Sequence, residues 1–177
     1  MPHHIVFSFD CVSPWSYIGY HVLQRYKTKW PIDIEWQPAS LAYVMKYANN
    51  QPPVAPNPVS INMPSKFPFH TFPVMGVLRA IKDMYPTKLH EMIDKCFHEI
   101  WHLGHHELDR ERLASILQVS FSTEETARLL DVAFSKQTKQ LLAHEAKVLV
   151  DEGAFGFPWI VATRDFDRKS TAACVHA

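Results

Sequence analysis

Residues 5–9 form a short, mostly apolar run that ends at Asp10, which reads as a strand buried on both faces. Ser13 and Pro14 then occupy the positions favoured for an N-cap and a first helical residue. Beyond them Trp15, Ile18, Val22, Leu23, Tyr26 and Trp30 recur at helical spacing, with Gln24, Arg25 and Lys27 elsewhere. This predicts an amphipathic helix with those six apolar residues on its buried face. The stretch IDIEWQP alternates Ile32, Ile34 and Trp36 with Asp33, Glu35 and Gln37, the period of a half-buried strand. Strand, helix, strand implies a right-handed parallel crossover.

The pattern changes after Asn50. Seven of the 13 prolines fall between Pro52 and Pro73, a density incompatible with regular helix or central strand, so a long connecting loop is expected. From Val74 to Glu152 helix signals return, with Pro86 as a start, Gly104 as a stop, a Ser122/Glu125 capping box and Gly153 as a further stop. Four or five helices are predicted there. GAFGFPWIVAT then reads as a glycine-rich turn, Pro158 and a short strand from Trp159 to Val161.

With 177 residues and 47% hydrophobic content, the chain suits one sizeable core or one domain carrying an insertion. Eighteen basic and 18 acidic side chains leave no excess charge for a phosphate backbone, which argues against nucleic acid and towards a small molecule or a protein partner. The N-terminal MPHHIVFSFD lacks a charged n-region, and no span reaches the roughly 20 apolar residues of a membrane helix. Cys11, Cys96 and Cys174 share no short spacing, which fits a reducing compartment: the cytoplasm, or a mitochondrial or peroxisomal matrix.

Two places carry candidate chemistry. At the Ser13 turn a helix N-terminus concentrates unpaired backbone donors and partial positive charge. In the thioredoxin architecture this slot holds Cys-x-x-Cys; here it reads Ser13-Pro14-Trp15-Ser16. Lacking thiols, it cannot cycle a disulfide, but a hydroxyl can hydrogen-bond the thiolate of a bound molecule. Taken alone, the turn is more simply a helix cap. The second place, His98-Glu99-Ile100-Trp101-His102, matches the H-E-x-x-H zinc pattern. On a helical wheel, however, Leu89, Met92, Ile93, Cys96, Ile100 and Leu103 form the apolar face, and His98 and His102 point away from it to solvent. The glycine that an extended metalloprotease pattern requires three residues after the second histidine is replaced by His105, so no metal is expected.

The segment DCVSPWSY from Asp10 to Tyr17, Asn50 with the two prolines that follow at 52 and 53, and GAFGFP from Gly153 to Pro158 resemble the kappa class of glutathione transferases and the related 2-hydroxychromene-2-carboxylate isomerases. The resemblance runs to about Thr163. It implies an α/β, DsbA-like thioredoxin fold: residues 1–48 as the first thioredoxin part, 49–135 as Pro-rich loop and helical insertion, and 136–177 as the second part. It also favours the functional reading of the turn over the cap. Carried over position by position, Ser13 holds the glutathione thiolate, Pro14 and Trp15 line the glutathione site, and Asn50 contacts the tripeptide. Phe157 offers its main chain to the cysteinyl part of glutathione, because Pro158 resembles the cis-proline of thioredoxin folds.

The resemblance fails at the tail TRDFDRKSTAACVHA, which lacks the family's Ser-Asp pair for the γ-glutamyl end. A missing last strand and helix, an unpaired apolar edge at 159–161 and weaker glutathione binding are the expectations that follow. The resemblance implies a glutathione transferase acting on a hydrophobic electrophile, or reducing a peroxide, near Trp15 and the Pro-rich loop. Glutathione is then the co-substrate, and a homodimer is expected. The rival readings are the isomerase reaction through the same thiolate and an inactive binding or dimerisation module.

Overall fold

The computed structural model describes residues 3–50, 68–105, 108–163 and 173–174. Most of the Pro-rich loop, at 51–67, lies outside them, as does His106. A mixed sheet of order β2-β1-β3-β4 forms the base. β1 (His3–Phe9) is central, parallel to β2 (Ile32–Pro38) with Phe7 opposite Trp36, and antiparallel to β3 (Trp159–Thr163) with Ser8 opposite Trp159. The central position explains why the end of β1 is buried on both faces, Phe7, Ser8 and Phe9 alike. In β2 the alternation is realised: Ile34 and Trp36 are buried while Asp33 and Glu35 face solvent.

The crossover helix α1 (Pro14–Lys27) corrects the expected face. Trp15, Ile18, Val22 and Trp30 are 50%, 42%, 41% and 54% exposed, whereas Ser16 and Tyr20 are fully buried. The reason lies at Gly19, where an added Cβ would stand 3.2 Å from the Phe7 ring. Helix and strand approach through this small residue, so the stripe Ser16, Gly19, Tyr20, Leu23 lies over the sheet, and the bulky stripe faces out. Tyr20 fills the space beneath, with its ring 4.9 Å from that of Trp36 and 5.3 Å from that of Phe97.

After α2 (Leu41–Tyr47), five α-helices follow among the described residues: α3 (Phe72–Met84), α4 (Leu89–Phe97), α5 (Arg110–Leu117), α6 (Thr123–Ala133) and α7 (Lys136–Asp151). The capping box holds: Ser122 Oγ accepts from Glu125 N–H at 3.2 Å, and Glu125 accepts from Ser122 N–H at 2.9 Å. Gly104 and Gly153 take the positive φ values, +76° and +105°, that end helical segments. Pro86 opens a 3₁₀ turn that leads into α4, and residues His98–His102 continue α4 as a π-helical turn. Leu103, expected on the apolar face, is 47% exposed, because that turn rotates it off the core stripe of Met92, Ile93, Cys96 and Ile100. α3 and α6 cross at Gly76, whose position for a Cβ lies 2.6 Å from the Ala133 carbonyl oxygen.

The outer edge of β3 is not bare. A two-residue β4 (Ala173–Cys174) pairs antiparallel with it, setting Cys174 opposite Val161 and Ala173 opposite Ala162. The tail thus supplies a short last strand where none was expected, and Trp159 is buried against the α2 and α7 side of the sheet.

Candidate functional site

The end of β1, the start of α1 and the loop before β3 converge on Ser13. Ser13 is the N-cap of α1, 3% exposed, with extended backbone at φ −85° and ψ 115°. Its Oγ accepts from Ser16 N–H at 3.2 Å and donates to the Phe157 carbonyl at 3.0 Å. Phe157 and Pro158 are joined by a cis peptide bond, so the proline expected to resemble that of thioredoxin folds has the expected geometry. The Phe157 ring packs in a small cluster with Ala39, Val44, Ala146 and Ala154, which fixes its backbone opposite the turn.

The first turn of α1 leaves few free donors. Pro14 has no N–H, Ser16 N–H is capped, and Tyr17 N–H donates to Ser13 C=O at 3.1 Å. Trp15 N–H, with no acceptor among the described residues, is the donor that remains for a ligand. Ser16 fills the second slot of the Ser-x-x-Ser turn, fully buried and with its hydroxyl unpartnered among the described residues. Trp15 stands half-exposed at the rim and Pro14 beside it. Asn50, past the end of α2, donates from Nδ2 to the Phe155 carbonyl at 2.8 Å, which ties α2 to the loop that carries Phe157. Ser13, Phe157 and Pro158 are therefore brought together directly, and Asn50 joins them through that loop.

Sequence reasoning missed what holds the turn in place. Asp10, 1% exposed, accepts from Val12 N–H at 3.0 Å, from Leu41 N–H at 2.8 Å and from the Thr71 hydroxyl at 2.6 Å. One carboxyl group thus joins the Ser13 turn to the first residues of α2 and to the N-cap of α3. Burial pushes this carboxyl above its ordinary value, against the three hydrogen bonds and nearby His70, which pull it down. The π-helical turn and α3 add two further ties: Trp101 Nε1–H donates to Cys11 C=O at 3.0 Å, and Cys11 N–H points at the Met75 sulfur, 3.4 Å away. The available signal was a charged residue terminating an apolar strand.

Among the described side chains, neither thiol serves the site. Cys11 and Cys96 are both buried and free; burial raises the Cys11 thiol well above its ordinary value and pushes Cys96 to about 12, so both are poor nucleophiles. His98 and His102 are exposed, as the helical wheel places them, with their rings stacked 4.6 Å apart. Among the described residues, no group of three or more His, Cys, Asp or Glu side chains is arranged to hold a metal ion, and no helix is long and apolar enough to cross a membrane.

The model of the DsbA-like thioredoxin domain matches residues 4–172. Glutathione S-transferase kappa 1 of Homo sapiens is 27% identical over 188 residues, covering 93% of this chain and 83% of the human protein. Among solved structures, a 2-hydroxychromene-2-carboxylate isomerase superposes with a TM-score of 0.68 at 14% identity, covering 89% of this chain and 84% of that one. The cytosolic disulfide reductase DsbM from Pseudomonas aeruginosa gives 0.69 at 14% identity, covering 98% and 89%; its structure with GSH gives 0.64. With the β2-β1-β3-β4 sheet, the cis-proline loop and a family match over nearly its whole length, the chain belongs to the DsbA-like thioredoxin domain family.

Proposed function

We propose that the protein is a glutathione transferase of kappa type, in which the Ser13 hydroxyl and the N-terminus of α1 stabilise the glutathione thiolate. The observation that carries this reading is the Ser13–Phe157 hydrogen bond at 3.0 Å. A single hydroxyl proton cannot serve both the Phe157 carbonyl and a thiolate. A bound tripeptide resolves the competition by donating its cysteinyl N–H to the Phe157 carbonyl, which frees the Ser13 hydroxyl to turn to the sulfur. Ser16 N–H continues to donate to Ser13 Oγ and so polarises it, and Trp15 N–H adds a second donor at the helix end.

The magnitudes suffice. Lowering a thiol by roughly two pKa units from about 8.5 takes about 2.7 kcal/mol. A hydrogen bond to a charged group supplies roughly 1.5–3 kcal/mol and the helix end roughly 0.3–1 kcal/mol. The thiolate then attacks an electrophilic carbon, and the leaving group departs with its electron pair. Pro14, Trp15 and Asn50 would line the tripeptide site. The similarity to the human kappa transferase and the GSH complex of DsbM support glutathione as the co-substrate. With serines in both slots of the turn and Cys11 buried, a dithiol cycle on this chain's own sulfurs is not favoured.

Ser13→Ala tests the reading. Turnover with an aryl halide is expected to fall roughly ten- to a hundredfold, with the thiolate midpoint, read by ultraviolet absorbance, moved up and glutathione affinity changed far less. An unmoved midpoint would remove Ser13 from the role. Turnover of 2-hydroxychromene-2-carboxylate in place of the aryl halide would assign the isomerase reaction, and absence of glutathione binding by calorimetry would favour an inactive module.

A further inference from the structure

Beside the active turn lies a recess of ≈ 510 Å³ that no step above uses. Val12, next to Ser13, lines it together with Ser40 and the first turns of α2, the segment Pro68–Phe72 that enters α3, and Lys139 of α7. Most of the surface is apolar, from Val12, Leu41, Met45, Phe69 and Phe72. Its few polar groups are mostly donors. Lys139 pairs with no carboxylate among the described residues and lies 5.9 Å over the Phe72 ring. His70 is exposed on the same wall. Ser40 is 4% exposed and caps α2 without using its hydroxyl, which has no partner among the described residues.

An apolar recess with an unspent cation and an unpaired hydroxyl fits a flat apolar ligand that carries one anionic group. A comparable cleft between α1, α4 and α5 fits less well. It begins at Tyr17, one turn beyond Ser13, and its Glu99 is already paired with His105 at 2.8 Å and Arg112 at 3.2 Å.

Resting on the transferase reading, we infer that this recess binds the second substrate, and that the protein prefers aromatic electrophiles bearing a carboxylate or similar anion, held by Lys139 and Ser40 with the reacting carbon at Val12. For a chloronitrobenzoate, the glutathione sulfur forms the C–S bond at the ring carbon, the C–Cl bond breaks, and chloride leaves with the electron pair. The thiol proton has gone to solvent beforehand, and no oxidant or reductant is needed. The recess is walled by Pro68–Phe72 rather than by Trp15, which places the electrophile on the Pro-rich side of the turn alone.

The test compares 4-chloro-3-nitrobenzoate with the neutral 4-chloro-3-nitrobenzamide, in turnover and in calorimetric binding to glutathione-free protein. The benzoate is expected to bind about three- to tenfold more tightly, the modest factor reflecting an exposed lysine. Lys139→Gln should abolish that preference while leaving the benzamide and glutathione KM unchanged. Ala42→Trp, which fills the recess from an exposed position of α2, should weaken both electrophiles and leave glutathione binding intact. Equal binding of the two compounds to the wild type, or binding of both that survives Ala42→Trp, overturns the inference. Because binding is read without glutathione, failure of the recess is distinguishable from failure of the transferase reading, which would show as the expected binding pattern without turnover.

Discussion

Replacing Asp10 with asparagine sets the two opposing influences on this buried carboxyl against each other. In the wild type, Oδ1 accepts from Val12 N–H and the Thr71 hydroxyl, while Oδ2 accepts from Leu41 N–H. Asparagine keeps the first pair and turns an NH₂ towards Leu41 N–H, so two donors face each other in a dry site; the cost is about 1–3 kcal/mol. The pH dependence decides which influence dominates. Burial is the larger influence and raises the carboxyl above its ordinary value of 3.8. The folded chain therefore holds this proton to a higher pH than the unfolded chain does. The linked stability is complete below about pH 4 and is lost as pH rises towards the folded pKa. The asparagine variant has no such proton. Its deficit relative to wild type is thus expected to be largest near pH 4 and to narrow at higher pH. Urea denaturation of both proteins from about pH 4 to 8.5, followed by circular dichroism, gives the two curves. A deficit that widens with pH would mean that the three donors outweigh burial and hold the carboxylate ionised, and the reasoning would fail.

Gly76→Ala should lower stability by about 1–2 kcal/mol at unchanged m-value, because the new methyl meets the Ala133 backbone oxygen, and a gain of under about 1 kcal/mol in helix propensity does not compensate; a raised denaturation midpoint would show that α3 and α6 can separate freely. The double variant His98→Ala, His102→Ala should change stability by no more than about 0.5 kcal/mol and leave transferase activity and metal content unaltered, since both rings are exposed. Stoichiometric zinc in the wild type, lost in that variant, would restore the H-E-x-x-H reading.

The strand–helix–strand opening was legible because the buried end of β1 and the alternation in β2 are local patterns, and so were the capping box and the glycine stops. The inner face of α1 was not. Trp15, Ile18 and Val22 and the stripe Ser16, Gly19, Tyr20, Leu23 share the same period, and hydropathy selects the bulkier set, whereas the approach to Phe7 requires the smaller one. Ser13, Phe157 and Pro158 could be named from the family resemblance, and the fold sets the Ser13 hydroxyl against the Phe157 carbonyl beside the cis bond. The role of Asp10 could not, because two of its three partners lie 31 and 61 residues along the chain, and a carboxylate ending an apolar strand is the sole local hint of them. The short β4 pairing was equally hidden, since a two-residue strand has no periodicity to read.

The Thr71, Met75 and Trp101 ties to residues 10 and 11 bear on how this fold can be recombined. A set of helices grafted from another protein without a hydroxyl, sulfur and indole at these positions would keep its own core yet leave the Ser13 turn ungripped. The chimera would fold as two sound halves around a loosened Ser13. Exchange of the insert alone is therefore a poor route to new specificity unless these three side chains travel with the recipient scaffold.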